Sequence, residues 1–378
     1  MRGVDRRLQI RGWRIVVGML FLGTLTAVSS EAQSLSEKGS DPLRHDPLRQ
    51  GPRRINQLQL LGTHNSYHRA PDPVAMRVVS LFAPAEAQAI DCSQRPLREQ
   101  LEHLGCRHFE LDLYLDDDGG KYAEPTAIKM AQEQGVEVPE FDRAGQLKEP
   151  GIKILHSPDF DFRTTVYTLR EALREIRQWS DARRGHVPVF LLLELKSDSF
   201  SPATRPTPWD ERGFAVLEEE IREIFPRERI LTPDDVRGDK GTLREAVDGI
   251  GWPAVDEQRG KVAFLLDNED ALRERYLAKS EILSGRLLFV SVPPTHPAAA
   301  WMKRNDPQGS YAEIRDLVDR GFLVRTRADS GTSEARSGDC RRRDAALASG
   351  AQLISTDYPE RDPRFSPYAV QIPLDVPE

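Results

Sequence analysis

Hydrophobic positions gather into eight short runs along the chain, at residues 58–62, 106–115, 152–156, 187–196, 261–267, 286–292, 322–326 and 351–356. Each has the length of a strand. Between them, 96–104, 166–180, 210–225, 242–247, 311–320 and 341–349 carry helical spacing. In the second of these, Leu169, Leu173 and Ile176 recur three and four residues apart, which puts them on one helix face. Gly105, Gly185, Gly260, Gly285, Gly321 and Gly350 stand just ahead of strands, where helix ends and turns favour glycine. Strand and crossover helix repeated eight times predict an α/β chain folded as a (β/α)8 TIM-type barrel. An open doubly wound sheet is the main alternative. No G-x-G-x-x-G fingerprint or G-x-x-x-x-G-K-[ST] loop follows any of the runs, which weighs against it.

Two connections break the regular repeat. Residues 68–92 and 116–150 are long, rich in Pro, Ala and charge, and follow strands, so they are expected over the rim where barrel active sites are built. They read either as substrate-side covers or as decoration. The barrel is assigned to 53–359, with a proline-rich tail at 360–378. At the other end, Arg2, Arg6, Arg7, Arg11 and Arg14 precede an uncharged apolar stretch from 15 to 28, and Ser30-Glu31-Ala32 offers small residues at a cleavage site. That stretch is too short to span a bilayer and reads as a signal peptide over 1–32, followed by a polar linker at 33–52. The protein is therefore expected to be secreted or periplasmic.

Loss of the signal removes five arginines and two acids, taking the formal charge from −7 to −10. So acidic a chain argues against a nucleic-acid partner and offers no generic attraction to anionic lipid. Phosphate would have to be handled locally, by a bound cation or a few placed basic residues. Cys92, Cys106 and Cys340 allow at most one intramolecular disulfide, and their spacing is not a zinc pattern.

The chemistry lies where the first four runs end: His64-Asn65, Glu110-Leu111-Asp112, His156, and Glu194-Leu195-Lys196. Residues two apart on a strand point to the same side, so the carboxylates of Glu110 and Asp112 converge. Paired inward carboxylates repel unless a cation or a shared proton relieves them. Asn65, Glu110, Asp112 and Glu194 make an all-oxygen set suited to Ca2+ or Mg2+. His64 and His156 then remain for proton transfer.

These motifs resemble the calcium-dependent phosphoinositide-specific phospholipase C family in its secreted bacterial form, a phospholipase C-like phosphodiesterase barrel, over about residues 56–359. The resemblance implies Ca2+ held by Asn65, Glu110, Asp112 and Glu194, with His64 and His156 catalytic. It also implies attack by the inositol 2-hydroxyl on the phosphodiester phosphorus, releasing diacylglycerol and leaving a cyclic inositol phosphate. The base is either a histidine or a metal-bound Glu110 or Glu194. The stretches Val324-Arg325-Thr326-Arg327-Ala328-Asp329 and Gly350-Ala351-Gln352-Leu353-Ile354-Ser355-Thr356-Asp357-Tyr358-Pro359 are also similar to the last strands of glycerophosphodiester phosphodiesterases. Those enzymes begin with His-Arg-Gly where this chain has His64-Asn65-Ser66. Lys196 and Arg327 are candidate phosphate or headgroup contacts, or else structural ion pairs. The expected partner is a phospholipid or glycerophosphodiester substrate, with transient contact to a membrane surface. Alternatives are hydrolysis of soluble headgroups, or a non-catalytic barrel that binds inositol phosphates or glycans.

Overall fold

Parallel strands dominate the computed structural model, which describes residues 51–197, 203–269 and 271–377. The expected signal at 1–32 and all but the last two residues of the linker lie outside those residues. In chain order the strands are β1 (Leu60–Thr63), β2 (His108–Tyr114), β3 (Lys153–Ile154), β4 (Val189–Leu195), β5 (Ile230–Leu231), β6 (Val262–Leu266), β7 (Leu288–Val290), β8 (Trp301–Lys303), β9 (Leu323–Arg327) and β10 (Leu353–Thr356). Hydrogen bonding runs β5-β6-β4-β2-β1-β10-β9-β8, and β7 pairs with β6 beyond the two residues that the short β5 covers. An isolated parallel bridge from Ser291 to Trp301 carries β7 over to β8. The two ends of the sheet thereby meet in an eight-stranded parallel barrel.

The ring differs from the sequence expectation at one strand. Residues 152–156 do not supply a barrel strand. β3 is two residues long and runs antiparallel to the end of β2, with Leu113 opposite Ile154 and Tyr114 opposite Lys153. The slot beside β2 is taken by β4, a longer apolar run in register from His108↔Phe190 to Leu113↔Leu195. Length decides this competition, because six matched pairs are available to β4 and two to β3. The eighth position is filled by β8, the three residues Trp301-Met302-Lys303, too short to stand out by periodicity.

Expected helices appear at Leu97–His103, Leu169–Ala182, Glu211–Ile224, Leu243–Gly249, Tyr311–Asp319 and Arg341–Ala348. Thr168 and Asp210 cap two of them, accepting from the backbone N–H of Glu171 and Gly213. The helix at Leu169–Ala182 buries Leu169, Leu173 and Ile176, together with Trp179. Trp209, Trp252 and Trp301 are fully buried and belong to the core. All three thiols are free; Cys92 and Cys106 are buried, and burial pushes Cys106 up to about 12. The tail packs on the barrel through buried Tyr368 and Val370, and Val370 N–H donates to the Tyr358 carbonyl at 2.9 Å.

Gly62 marks the tightest crossing in the wall. A Cβ there would meet His108 Nδ1 and the His108 carbonyl oxygen at 2.5 Å, because β1 and β2 pair through these two residues. A methyl group has nowhere to go but into backbone. Gly62→Ala is expected to cost about 1–3 kcal/mol of stability, read as a lowered urea midpoint; an unchanged midpoint would contradict this packing.

Candidate active site

Side chains from the C-terminal ends of the strands converge at one mouth of the barrel, the usual place for chemistry in this architecture. His64 follows β1 directly. Its Nδ1 lies 2.8 Å from Asp357 Oδ1, just beyond β10, and its Nε2 lies 3.8 Å from Glu110 Oε1 on β2. A carboxylate only accepts, so Nδ1 carries the proton in that bond and Nε2 is the nitrogen left for substrate. Asp357 is held in turn by Arg327 Nη2 at 3.1 Å and by its own backbone N–H, which donates to Asp329 Oδ1 at 2.8 Å. Burial pushes Asp357 upward, but His64 and Arg327 override it and hold the carboxyl at about 2. Asp329, buried beside Asp357, is pushed up to about 7.

Asn65 turns the chain away from the strand with φ 43, in the left-handed region that asparagine tolerates. The turn is fixed by His68 N–H donating to the Asn65 carbonyl at 2.8 Å and Ser66 N–H donating to the Glu110 carbonyl at 2.9 Å. It brings His68, which the sequence reading did not single out, into the site.

His156 stands just past β3 at the start of a tight turn, in which Ser157 and Asp161 exchange backbone hydrogen bonds of 2.9 and 3.1 Å. The turn folds Asp161 back so that its Oδ2 accepts from His156 Nδ1 at 2.7 Å. Asp161 also faces His68 Nε2 at 2.8 Å, while His68 Nδ1 lies 3.1 Å from the Cys92 carbonyl. Both partners of His68 are acceptors, so making both bonds requires a proton on each ring nitrogen. Burial alone would lower His156, but the Asp161 hydrogen bond and charge overcome it, and Asp112 adds to them. Lys196 opposes the rise, and His156 settles at about 9. Asp161, desolvated but flanked by two imidazoles, is held at about 2.

Behind the histidines the barrel interior is filled with charge. Arg325, on β9 and buried, bonds Glu110 Oε2 and Asn305. Lys196 lies 3.3 Å from Asp112 and 3.1 Å from Glu194. Lys303, on β8, lies 2.8 Å from Asp267, which follows β6. Four carboxylates thus face three cations. Burial pushes Glu110 upward, but Arg325 and then His64 bring it to about 2. Asp112 is raised by burial to about 6, only partly relieved by Lys196.

Glu110, Glu194 and Asp267 each offer an oxygen within 4.8 Å of the others. Both oxygens of Asp112 and Oδ1 of Asp267 are buried without a hydrogen-bond partner. Buried carboxylate oxygens without donors are what a hard cation satisfies. The donor set fits calcium: all oxygen, from strands whose backbone fixes it.

The sequence matches the family described as phosphoinositide phospholipase C, Ca2+-dependent, over residues 53–378. The chain belongs to that family. It is therefore a calcium-dependent phosphodiesterase of the phospholipase C type, with the parallel α/β barrel already described. Among solved structures it is similar to the calcium-dependent phosphoinositol-specific phospholipase C of a Pseudomonas species, a Gram-negative bacterium. The apo form of that protein matches with a TM-score of 0.51 at 16% identity, covering 84% of this chain and 94% of that one. Its myoinositol complex gives the same figures. At this identity the likeness speaks for the fold. No curated protein sequence matches the chain.

Within this phospholipase C barrel, His64, Asn65, His156 and Arg327 line one cleft of about 210 Å³, together with His68, Cys92 and Asp357. Glu110 reaches His64 from the barrel interior. Asp112 and Glu194 are joined to each other through Lys196, which is fully engaged there. Arg327, by contrast, has a buried Nε without a hydrogen-bond partner and sits in the cleft wall. Asp161, His68 and Asp267 carry no expectation from the sequence, and Arg325 and Asp357 stand in the late-strand stretches without a site role there. Asp267 had a visible signal, since it ends the run at 261–267 as Glu194 ends its own. Asp161 had none, because a turn rather than a strand delivers it. Among the described residues, no helix is long and apolar enough to cross a membrane.

Proposed function

We propose that the protein is an exported phospholipase C that cleaves the glycerol-side phosphodiester of an inositol phospholipid, with His64 as base and His156 as acid. The observation that carries this is the placing of two histidines on one cleft, each fixed through Nδ1 by a buried carboxylate. His64 is tied by Nδ1 to Asp357 and presents Nε2; His156 is tied to Asp161 and keeps its proton well above neutral pH. Glu110 is a poor base, because Arg325 holds it ionised and occupied. Export rests on the N-terminal sequence alone.

In this reading His64 Nε2 takes the proton of the inositol 2-hydroxyl as its oxygen bonds to phosphorus. The bond to the glycerol oxygen breaks, and the His156 imidazolium protonates that oxygen as it leaves. The products are diacylglycerol and a cyclic inositol phosphate. Arg327 supplies positive charge to the phosphate oxygens from the cleft wall. Glu110, Glu194 and Asp267, with Asp112 and Asn65, would hold the calcium; Lys196 balances Asp112 and Glu194 rather than meeting substrate. When bound, calcium lowers the pKa of the attacking hydroxyl and stabilises the charge that builds on the equatorial oxygens. Residues 68–92 would cover the substrate side, as they already furnish His68, Glu86, Ala89, Ile90 and Cys92 to the cleft.

The pH profile tests the acid assignment. His156 is raised, so its protonated form, and the folding stability it contributes, is complete below the ordinary histidine value near 6.5 and lost as pH passes about 9. The groups facing it are Asp161 and Asp112, which favour the proton, Lys196, which opposes it, and His68, edge-on at 5.8 Å. Turnover by the unaltered protein should hold through neutral pH and fall near 9. Asp161→Asn should move that fall toward or below 6.5. An alkaline limb that stays in place would remove His156 from the acid role.

A further inference from the structure

After β10 the chain passes Asp357 and doubles back on the barrel. Ser366 N–H donates to the Ala335 carbonyl at 3.0 Å, and Val370 N–H donates to the Tyr358 carbonyl at 2.9 Å. Between these two anchors the ring of Tyr368 is buried, edge-on to Tyr358 at 6.2 Å and 5.7 Å from the Arg343 guanidinium. Its hydroxyl lies 2.9 Å from the Ala328 carbonyl oxygen and 3.1 Å from Asp329 Oδ2, just past the end of β9.

Asp329 is fully buried and has no part in the reaction proposed above. Its Oδ1 accepts from the backbone N–H of Asp357 at 2.8 Å, and its Oδ2 meets the hydroxyls of Thr356 and Tyr368. Asp357 in turn holds His64 Nδ1 through Oδ1 at 2.8 Å and Arg327 through Oδ2 at 3.1 Å. One continuous set of contacts thus runs from the tail to the histidine. It passes from the Tyr368 hydroxyl to the Asp329 carboxyl, then through the backbone and carboxyl of Asp357 to the His64 ring. The hydroxyl either shares its proton between its two acceptors, or donates to Ala328 and accepts from a protonated Asp329. In both cases it fixes the Asp329 carboxyl. A buried carboxyl short of a partner turns to find another, and turning here pulls on the backbone of Asp357.

We propose that Tyr368 is a positioning residue: through Asp329 and Asp357 its hydroxyl sets the orientation of the His64 ring, which makes the C-terminal tail part of the active-site scaffold. Its bearing on turnover rests on the reading of His64 as the base. A misplaced ring keeps its chemistry and loses its alignment with the attacking hydroxyl.

Tyr368→Phe removes the hydroxyl and keeps the ring. On a water-soluble, monomeric short-chain phosphatidylinositol with calcium, kcat should fall about tenfold while KM stays unchanged. In the His64→Ala background the same substitution should cost less than about twofold, because no ring is left to align. Val370→Ala thins the tail packing away from Asp329 and should keep normal turnover. NMR of ring-labelled histidine reads the hold itself, without substrate. The carbon-bound ring protons of His64, assigned by their absence from His64→Ala, should shift in Tyr368→Phe and stay in place in Val370→Ala.

An unchanged kcat or an unshifted His64 resonance in Tyr368→Phe would overturn the proposal. So would an equal fold loss in the wild-type and His64→Ala backgrounds, or a loss in Val370→Ala as large as in Tyr368→Phe. Either is what a merely structural contact gives. The reading of His64 as base fails separately, by near-normal turnover in His64→Ala or by a protein that cleaves no inositol phosphodiester. A His64 resonance that still shifts in Tyr368→Phe then keeps the positioning contact and loses its part in the reaction.

Discussion

Replacing either His64 or His156 with alanine should lower turnover by about 10²–10⁴-fold, the usual contribution of a positioned acid or base. Neither change should unfold the protein. Both side chains are partly exposed in the cleft, and each leaves its carboxylate with another partner, Arg327 for Asp357 and His68 for Asp161. The two losses should differ in kind. His156 protonates the leaving oxygen, so a substrate with an acidic leaving group, such as a nitrophenyl ester of inositol phosphate, should restore much of the activity of His156→Ala. It should do little for His64→Ala, because the attacking hydroxyl still needs a base. Equal rescue of both, or near-normal turnover by either variant on lipid, would contradict the division of roles.

Removal of calcium should be as damaging, costing about 10²–10³-fold or more in turnover, the scale of losing a preorganised group that stabilises transition-state charge. The residues that hold the ion can be tested without reference to turnover. Asp267→Asn removes one of three carboxylates that lie within 4.8 Å of each other, and its Oδ1 is otherwise buried and unpartnered. By calorimetric titration, calcium affinity should weaken at least tenfold. Glu194→Gln should act in the same direction, and so should Asn65→Ala. An unchanged affinity in Asp267→Asn would confine that residue to its ion pair with Lys303.

Much of the site was legible because strands advertise their ends. Glu110, Asp112 and Glu194 are polar residues inside or just after long apolar runs, where a solvated surface would not place them. His64 and Asn65 end a run in the same way, and Asn65 takes a left-handed turn that asparagine tolerates. What was hidden depends on contacts between distant segments. The run at 152–156 looks like a strand, and only competition with the longer β4 excludes it from the barrel. β8 is three residues long and becomes a strand by pairing with β9. Asp161 reaches His156 through a turn with no periodic signature, and His68 reaches Asp161 from a loop 93 residues away in sequence. Position alone leaves Lys196 open between a phosphate contact and a structural ion pair; in the fold it lies between Asp112 and Glu194.

The most direct test is the reaction itself: phosphatidylinositol and glycerophosphoinositol incubated separately with the protein, with calcium or with chelator, and the products identified. Diacylglycerol and a cyclic inositol phosphate, formed from phosphatidylinositol only when calcium is present, are the expected result. Release of glycerol or glycerol phosphate from glycerophosphoinositol in place of diacylglycerol, or binding of the lipid without turnover, would contradict it.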